Sequence, residues 1–222
     1  MYLGIDTAAG QCAVALVSAD DTVRARRDAR MERGHADHLF PMIDAVLAAA
    51  VAGADRLERI GVCTGPGSFT GIRVGVAAAR GLGLGLGVAV IGIDRFSALY
   101  WSWRASNPPS ATEMRVAIAI AGPQETAYLR ILDGICASIE PRFEADRQVP
   151  RGELDALVGP KAVRLGDGWP GAAVAAGLPD PAQIARHARG TPADPFTAPR
   201  AYYLRGPNAD PPRAAPPPLL DP

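Results

Sequence analysis

The sequence predicts an α/β protein. Three observations carry that prediction: apolar runs of strand length, a glycine-rich joint leading from one such run into an Ala/Val/Leu segment of helical length, and a second half that begins again with strands after a Pro/Ser linker. With 222 residues, 48% of them hydrophobic and 21% charged, the chain can build one large core or two smaller ones.

Tyr2–Ile5 reads as a short strand ending in Asp6-Thr7, Cys12–Val17 as its return, and 22–29 as a third, more exposed strand. The turns between them are Ala8-Ala9-Gly10 and Asp20-Asp21. From Asp37 to Ala52, Leu39, Met42, Ile43, Val46, Leu47 and Ala50 recur at spacings of three and four, which predicts a helix with one apolar face. Pro41 sits near its first turn, where the missing N–H does least harm. Ala45, Ala48, Ala49 and Ala52 make a second, small face, and Gly53 ends the helix. Arg59–Val62 is the end of a buried strand, and 70–84 a second helix. On that helix Gly71, Gly75, Ala79 and Gly83 lie four apart and form a stripe. Each glycine costs about 1 kcal/mol of helix propensity, so the stripe implies the close approach of another backbone, from the chain's own sheet or from another subunit. With the small face of the preceding helix, it suggests a docking surface.

Val88–Ile93 is a continuous apolar strand, and Asp94 or Ser97 starts a helix through Trp101 and Trp103. Ser106-Asn107-Pro108-Pro109-Ser110 is a linker, which sets an N-terminal subdomain at 1–105 and a smaller one at 106–206. The second half reads as strands at Val116–Ala121, 127–132, 136–143 and 163–166, then a helix from Trp169 through Ala176 and another at 182–188. Pro199 to Arg205 is an extended anchor, and 207–222 a proline-rich tail expected to lack packed structure.

The chemistry concentrates between Cys63 and Gly75. Gly65, Gly67 and Gly71 permit a sharp turn, and Ser68 and Thr70 supply hydroxyls ahead of a helix N-terminus. Such a joint either cradles a phosphate or is simply a tight turn with a capped helix. Asp6 is likewise either a turn-former or a carboxylate on the metal or phosphate side. Twenty-three basic residues balance twenty-three acidic ones, so no global field recruits nucleic acid. Arg24, Arg26, Arg27, Arg30 and Arg33 form a local basic run of the kind that solubilises an edge strand. Three cysteines without a CxxC pair read as reduced cytoplasmic thiols. The N-terminus lacks the features of a signal peptide, and 81–93 is too short to span a bilayer. His35 and His38 lack a third ligand at sensible spacing, so no metal site is expected.

Four segments together resemble a known family: Leu3-Gly4-Ile5-Asp6-Thr7; His35 with Leu39-Phe40-Pro41-Met42-Ile43; Gly65-Pro66-Gly67-Ser68-Phe69-Thr70-Gly71-Ile72-Arg73-Val74-Gly75; and Tyr203-Leu204-Arg205. They are similar to the TsaB (YeaZ) family, which serves the synthesis of threonylcarbamoyladenosine in tRNA. The likeness is strong over the first hundred residues and thin from Pro108 to Pro199. It implies an actin-like, ribonuclease H-like fold of two related α/β subdomains with mixed sheets flanked by helices. It also implies a cytoplasmic accessory subunit rather than an enzyme. The partners would be TsaD, which transfers the threonylcarbamoyl group, and the ATPase TsaE. A homodimer would use the same helices, tRNA would be met only through the complex, and no membrane is involved. The interface expected from this reading comprises Leu39, Met42, Ala45, Ala49, Ala52, Ile72, Gly75, Ala79 and Gly83.

Active members of the superfamily resemble one another in an Asp-x-Gly-x-Thr/Ser first loop, where this chain has Asp6-Thr7-Ala8-Ala9. Asp6, Thr7, Gly65, Gly67 and Ser68 are therefore expected to form a vestigial nucleotide site. No cofactor should be tightly held, and ATP or ADP would bind only weakly or at the complex interface. The alternatives are an ATP-binding kinase or ATPase of the same fold and a metal-dependent glycoprotease-like peptidase.

Overall fold

The N-terminal meander forms as its apolar runs and turns require. β1 (Tyr2–Asp6), β2 (Gln11–Val17) and β3 (Val23–Arg30) pair antiparallel in sequence. In the computed structural model, residues 1–49, 57–108, 114–135, 142–192 and 198–204 are described. β1 and β2 are buried along their whole length, whereas β3 is almost entirely exposed at the sheet edge. Helix α1 (His35–Ala49) follows, beginning two residues before its expected start; its predicted end at Ala52 lies outside the described residues. β4 (Arg59–Cys63) lies parallel to β1, α2 (Phe69–Leu86) crosses back, and β5 (Ala89–Ile93) lies parallel to β4. The first sheet is thus mixed, in the order β3-β2-β1-β4-β5.

α1 packs on β2 and β3, and α2 on β4 and β5. Between helices and sheet, Leu3, Ile5, Leu16, Leu39, Ile43, Ile60 and Ile72 form the main core. α3 (Arg95–Ser106) starts at Asp94, whose carboxylate accepts from Ser97 N–H at 3.0 Å.

The second sheet contains β6 (Met114–Ala121), β7 (Thr126–Ile135), β8 (Arg142–Phe143), β9 (Arg147–Pro150) and β10 (Val163–Leu165). β6 and β7 are antiparallel and β10 joins β6 in parallel. Most of the predicted strand at 136–143 lies outside the described residues, which keep only its end as β8. α3 covers one face of this sheet. A short helix, α4 (Leu154–Val158), and Trp169 cover the other.

Two expectations for the second half change. The helix predicted from Trp169 through Ala176 shrinks to a single 3₁₀ turn at Val174–Gly177, because Pro170 and Gly171, with its φ of +73°, break the run. The helix near 182–188 does form, as α5 (Pro181–Gly190), but it packs against β1, β2 and β4 of the first sheet. Gly4 makes this approach available: a Cβ there would lie 1.9 Å from the Pro181 carbonyl oxygen. Arg59 donates to the Ala188, Arg189 and Thr191 carbonyls and so caps the C-terminal end of α5. Each half is an α/β unit with a mixed sheet flanked by helices, yet a helix from beyond the linker completes the first. Among the described residues no helix is long and apolar enough to cross a membrane.

Candidate functional site: the closed loops and the outer face of two helices

Parallel pairing of β1 with β4 delivers two loops to the same end of the sheet. Asp6 ends β1 and is fully buried. Its Oδ1 accepts from Ala8 N–H at 3.0 Å and its Oδ2 from Gln11 Nε2 at 2.7 Å. Gln11 also donates to the Pro179 carbonyl at 2.8 Å, so the chain ahead of α5 closes over the carboxylate. Burial pushes the Asp6 pKa up, opposed by Gln11, Arg95, Ala8 and the Cys63 thiol. Burial and the nearby Asp6 charge hold the Cys63 thiol well above its usual value too.

Thr7 is also fully buried, and its Oγ1 donates to the Gly71 carbonyl at 2.7 Å. Ser68 N–H donates to the Ala8 carbonyl at 2.8 Å, while Ser68 Oγ caps α2 by accepting from Gly71 N–H at 3.2 Å. A Cβ on Gly67 would sit 2.1 Å from the Ala8 oxygen. The structure therefore brings together the predicted residues Asp6, Thr7, Gly65, Gly67 and Ser68. Asp6, Thr7, Ser68 and the Gly65 carbonyl spend hydrogen-bonding groups on Ala8, Gln11, Gly71 and Arg95 of the adjoining chain. The helix cap expected of Ser68 is present, and Gly67 beside it is exposed.

The second half contributes Gly166-Asp167-Gly168, which meets the first half through Arg95. This guanidinium is 3% exposed; Nη2 donates to Asp167 Oδ2 at 2.7 Å and to the Gly177 carbonyl at 2.6 Å. Asp167 Oδ1 accepts from Ala121 N–H at 3.0 Å. Nearby, Arg130 bridges Asp94 at 2.9 Å and Asp146 at 2.6 Å, and Tyr202 donates to Asp146 at 2.5 Å. Burial and that bond to Asp146 push the Tyr202 pKa up to about 12. Sequence reasoning missed this arginine–carboxylate seam. The available signal was an arginine directly after the helix-capping Asp94.

The expected partner interface needs correction. Leu39, Ile72 and Ala79 are completely buried in the chain's own core. The Gly71–Gly75–Ala79–Gly83 stripe faces the chain's own sheet. A Cβ on Gly75 would lie 2.3 Å from Thr7 Oγ1, and one on Gly83 would lie 2.3 Å from Val90. The stripe lets α2 lie close to β4 and β5, so the approaching backbone is internal. Met42 and Ala45 are half-buried and Ala49 is exposed, while Ala52 lies outside the described residues.

What α1 and α2 turn outward is a different set. Phe40 is 49% exposed, Phe69 48% and Leu84 88%, with Ala48, Arg73, Ala77 and Arg80 between them. Arg73 lies over the Phe69 ring at 3.7 Å, and Tyr203 packs on that ring with centroids 5.4 Å apart. The signal was present in the helical phase, since these apolar residues fall outside the buried stripe. His35 is buried in the first turn of α1 and His38 is exposed. Among the described residues, no three His, Cys, Asp or Glu side chains converge on a point that could hold a metal.

Comparison with known proteins follows the same lines. Residues 29–132 match the family model described as TsaD, tRNA N6-adenosine threonylcarbamoyltransferase. The chain is 32% identical over 170 residues to the tRNA threonylcarbamoyladenosine biosynthesis protein TsaB of Escherichia coli, covering 75% of this chain and 71% of that one. To the protein of the same name in Haemophilus influenzae it is 29% identical over 174 residues, 75% and 72% of the two chains. In three dimensions it is similar to YeaZ from Pseudomonas aeruginosa, with a TM-score of 0.68 over 90% of this chain and 98% of that one at 21% identity.

Proposed function

We propose, from the premise that this chain belongs to the TsaB family of tRNA threonylcarbamoyladenosine biosynthesis proteins, that it is a non-catalytic subunit docking on TsaD through the outer face of α1 and α2. The observation that carries this reading is the outward display of Phe40, Phe69 and Leu84 on two adjacent helices. Phe40, Phe69 and Leu84 expose large apolar side chains along the two helices, and a docked partner would cover them. The match of residues 29–132 to the TsaD model supports a partner of the same kin, two like folds meeting by like helices. A second copy of this chain would compete for the same face, TsaE would join the assembled pair, and tRNA would be met through the complex.

The non-catalytic part of the reading rests on the loops. Asp6 and Thr7 have no solvent-facing surface, and Gly67 and Ser68 are held against Ala8. A nucleotide would have to break those bonds to reach Asp6, so no tight ATP or ADP binding is expected there.

Leu84→Glu tests the docking. The side chain is 88% exposed, so the fold should tolerate the change. Co-purification with TsaD is expected to drop by about tenfold or more, since a charge replaces a buried apolar contact. A tRNA modification assay containing TsaD, TsaE and the variant should lose activity in parallel. Undiminished capture of TsaD by folded Leu84→Glu together with Phe40→Ser would remove this face from the account.

A further inference from the structure

We propose that Tyr203 is a contact residue of the docking face and that Tyr202 beside it is its positioning residue, so that the second half of the chain sets the geometry of that face at the start of α2. The inference rests on the docking reading above. It adds a residue from outside α1 and α2 and a physical reason for its place.

Residues 199–204 belong to no helix or sheet, so side-chain and single backbone contacts hold them. Their side chains alternate in direction. Tyr202 and Leu204 pack against the cluster of Phe96, Tyr100 and Val116 in the second half. Tyr203 turns the other way, onto the Phe69 ring of α2, with centroids 5.4 Å apart. The backbone between them is fixed. Tyr202 N–H donates to the Thr64 carbonyl at 2.8 Å, and a Cβ on Gly65 would lie 3.0 Å from the Tyr202 carbonyl oxygen. At its side chain, Tyr202 donates to Asp146 at 2.5 Å, and Arg130 holds Asp146 from the other side at 2.6 Å. Arg130 itself lies over the Phe96 ring at 4.6 Å. With Tyr202 bound through both backbone and phenol, the residue after it has little freedom. Tyr203 then completes a group on the face that α2 turns outward. Its hydroxyl accepts from Arg73 Nε at 3.3 Å, while the Arg73 guanidinium lies 3.7 Å from the Phe69 centroid. The Tyr203 ring is 41% exposed beside Phe69 at 48%. Tyrosine and arginine are residue types in which binding energy concentrates, and a tyrosine ring covers a large area with only two torsions to fix. Holding that ring in place before the partner arrives removes part of the ordering cost of association.

The test is the affinity of the full-length chain for purified TsaD, measured by biolayer interferometry at a temperature where circular dichroism shows every variant folded. Tyr203→Ala is expected to weaken binding about tenfold or more. Tyr203→Leu, which keeps apolar cover on Phe69 without the ring, takes its place if the alanine variant does not fold, with the same expected direction. Tyr202→Phe keeps its ring in the second core and removes only the bond to Asp146, and it should weaken binding about threefold. In the Tyr203→Ala background the same Tyr202→Phe change should have no further effect, a coupling that a merely structural role would not produce. Unchanged affinity in the Tyr203 variants while Leu84→Glu abolishes binding would overturn this inference and leave the docking face standing. Unchanged affinity in the Tyr203 variants and in Leu84→Glu alike would remove the docking reading and this inference with it. A Tyr202→Phe effect of equal size with and without Tyr203 would overturn the positioning role.

Discussion

Asp6 is a carboxylate shut away from water. Its folded-state pKa is raised by burial, so the folded chain binds that proton more tightly than the unfolded chain does. The stability this group contributes is therefore complete below its unfolded-state value and is lost as pH climbs through the folded-state value. Asp6→Asn should remove that dependence. Urea midpoints measured between about pH 4 and 7 are expected to fall with rising pH in the wild type relative to the variant. Parallel curves would contradict the burial described here. Arg95 makes the complementary case. Arg95→Ala strands Asp167 and the Gly177 carbonyl in a site that is nearly dry, and should cost about 3–5 kcal/mol by chemical denaturation. A loss below about 1 kcal/mol, the size expected of a solvated pair, would mean that the seam is open to water.

Helix α2 carries two kinds of glycine, and they should respond oppositely to the same change. Gly75→Ala places a methyl 2.3 Å from Thr7 Oγ1 and should destabilise by about 1–3 kcal/mol. Gly81→Ala meets nothing within 4 Å and should stabilise by about 0.5–1 kcal/mol, because only helix propensity changes. Thermal melts of the two variants decide this. Equal effects would refute the assignment of inner and outer faces. The same helix shows what is legible in a sequence. Spacing reveals that Gly71, Gly75, Ala79 and Gly83 share a side, and that something must come close to it. It does not reveal whose backbone comes close, since Thr7 and Val90 reach that side only through the parallel pairing of β1, β4 and β5. The meander of β1 to β3 is readable because its short apolar runs and the turns between them are local. The site of α5 is not, because amphipathic spacing shows that a helix has an apolar side without naming the sheet that receives it. Nor is the bonding of Asp6 readable, for its cover includes Gln11 and the carbonyl of Pro179.

At the scale of the molecule, Arg95, Arg130 and Tyr202 pin the two α/β halves across their shared edge. Domains of such architecture commonly hinge around a ligand, and here fixed ion pairs occupy the seam. The linker at 106–110 suggests a divisible chain, but α5 crosses to the first sheet, where it buries Ala15 and Val17 beneath Ala182 and Ala185. A fragment ending at Asn107 is therefore expected to expose that face. It should show non-cooperative melting and dye binding that full-length protein lacks, and a sharp two-state melt would contradict this.

That crossing also bears on how the protein is made. On the ribosome the first five strands emerge long before the helix that roofs their second side. For the whole of that interval the nascent sheet presents an oily underside to the crowded cell. A chaperone that shields it, or a translation pace that shortens the wait, would then govern yield more than any single contact in the finished fold.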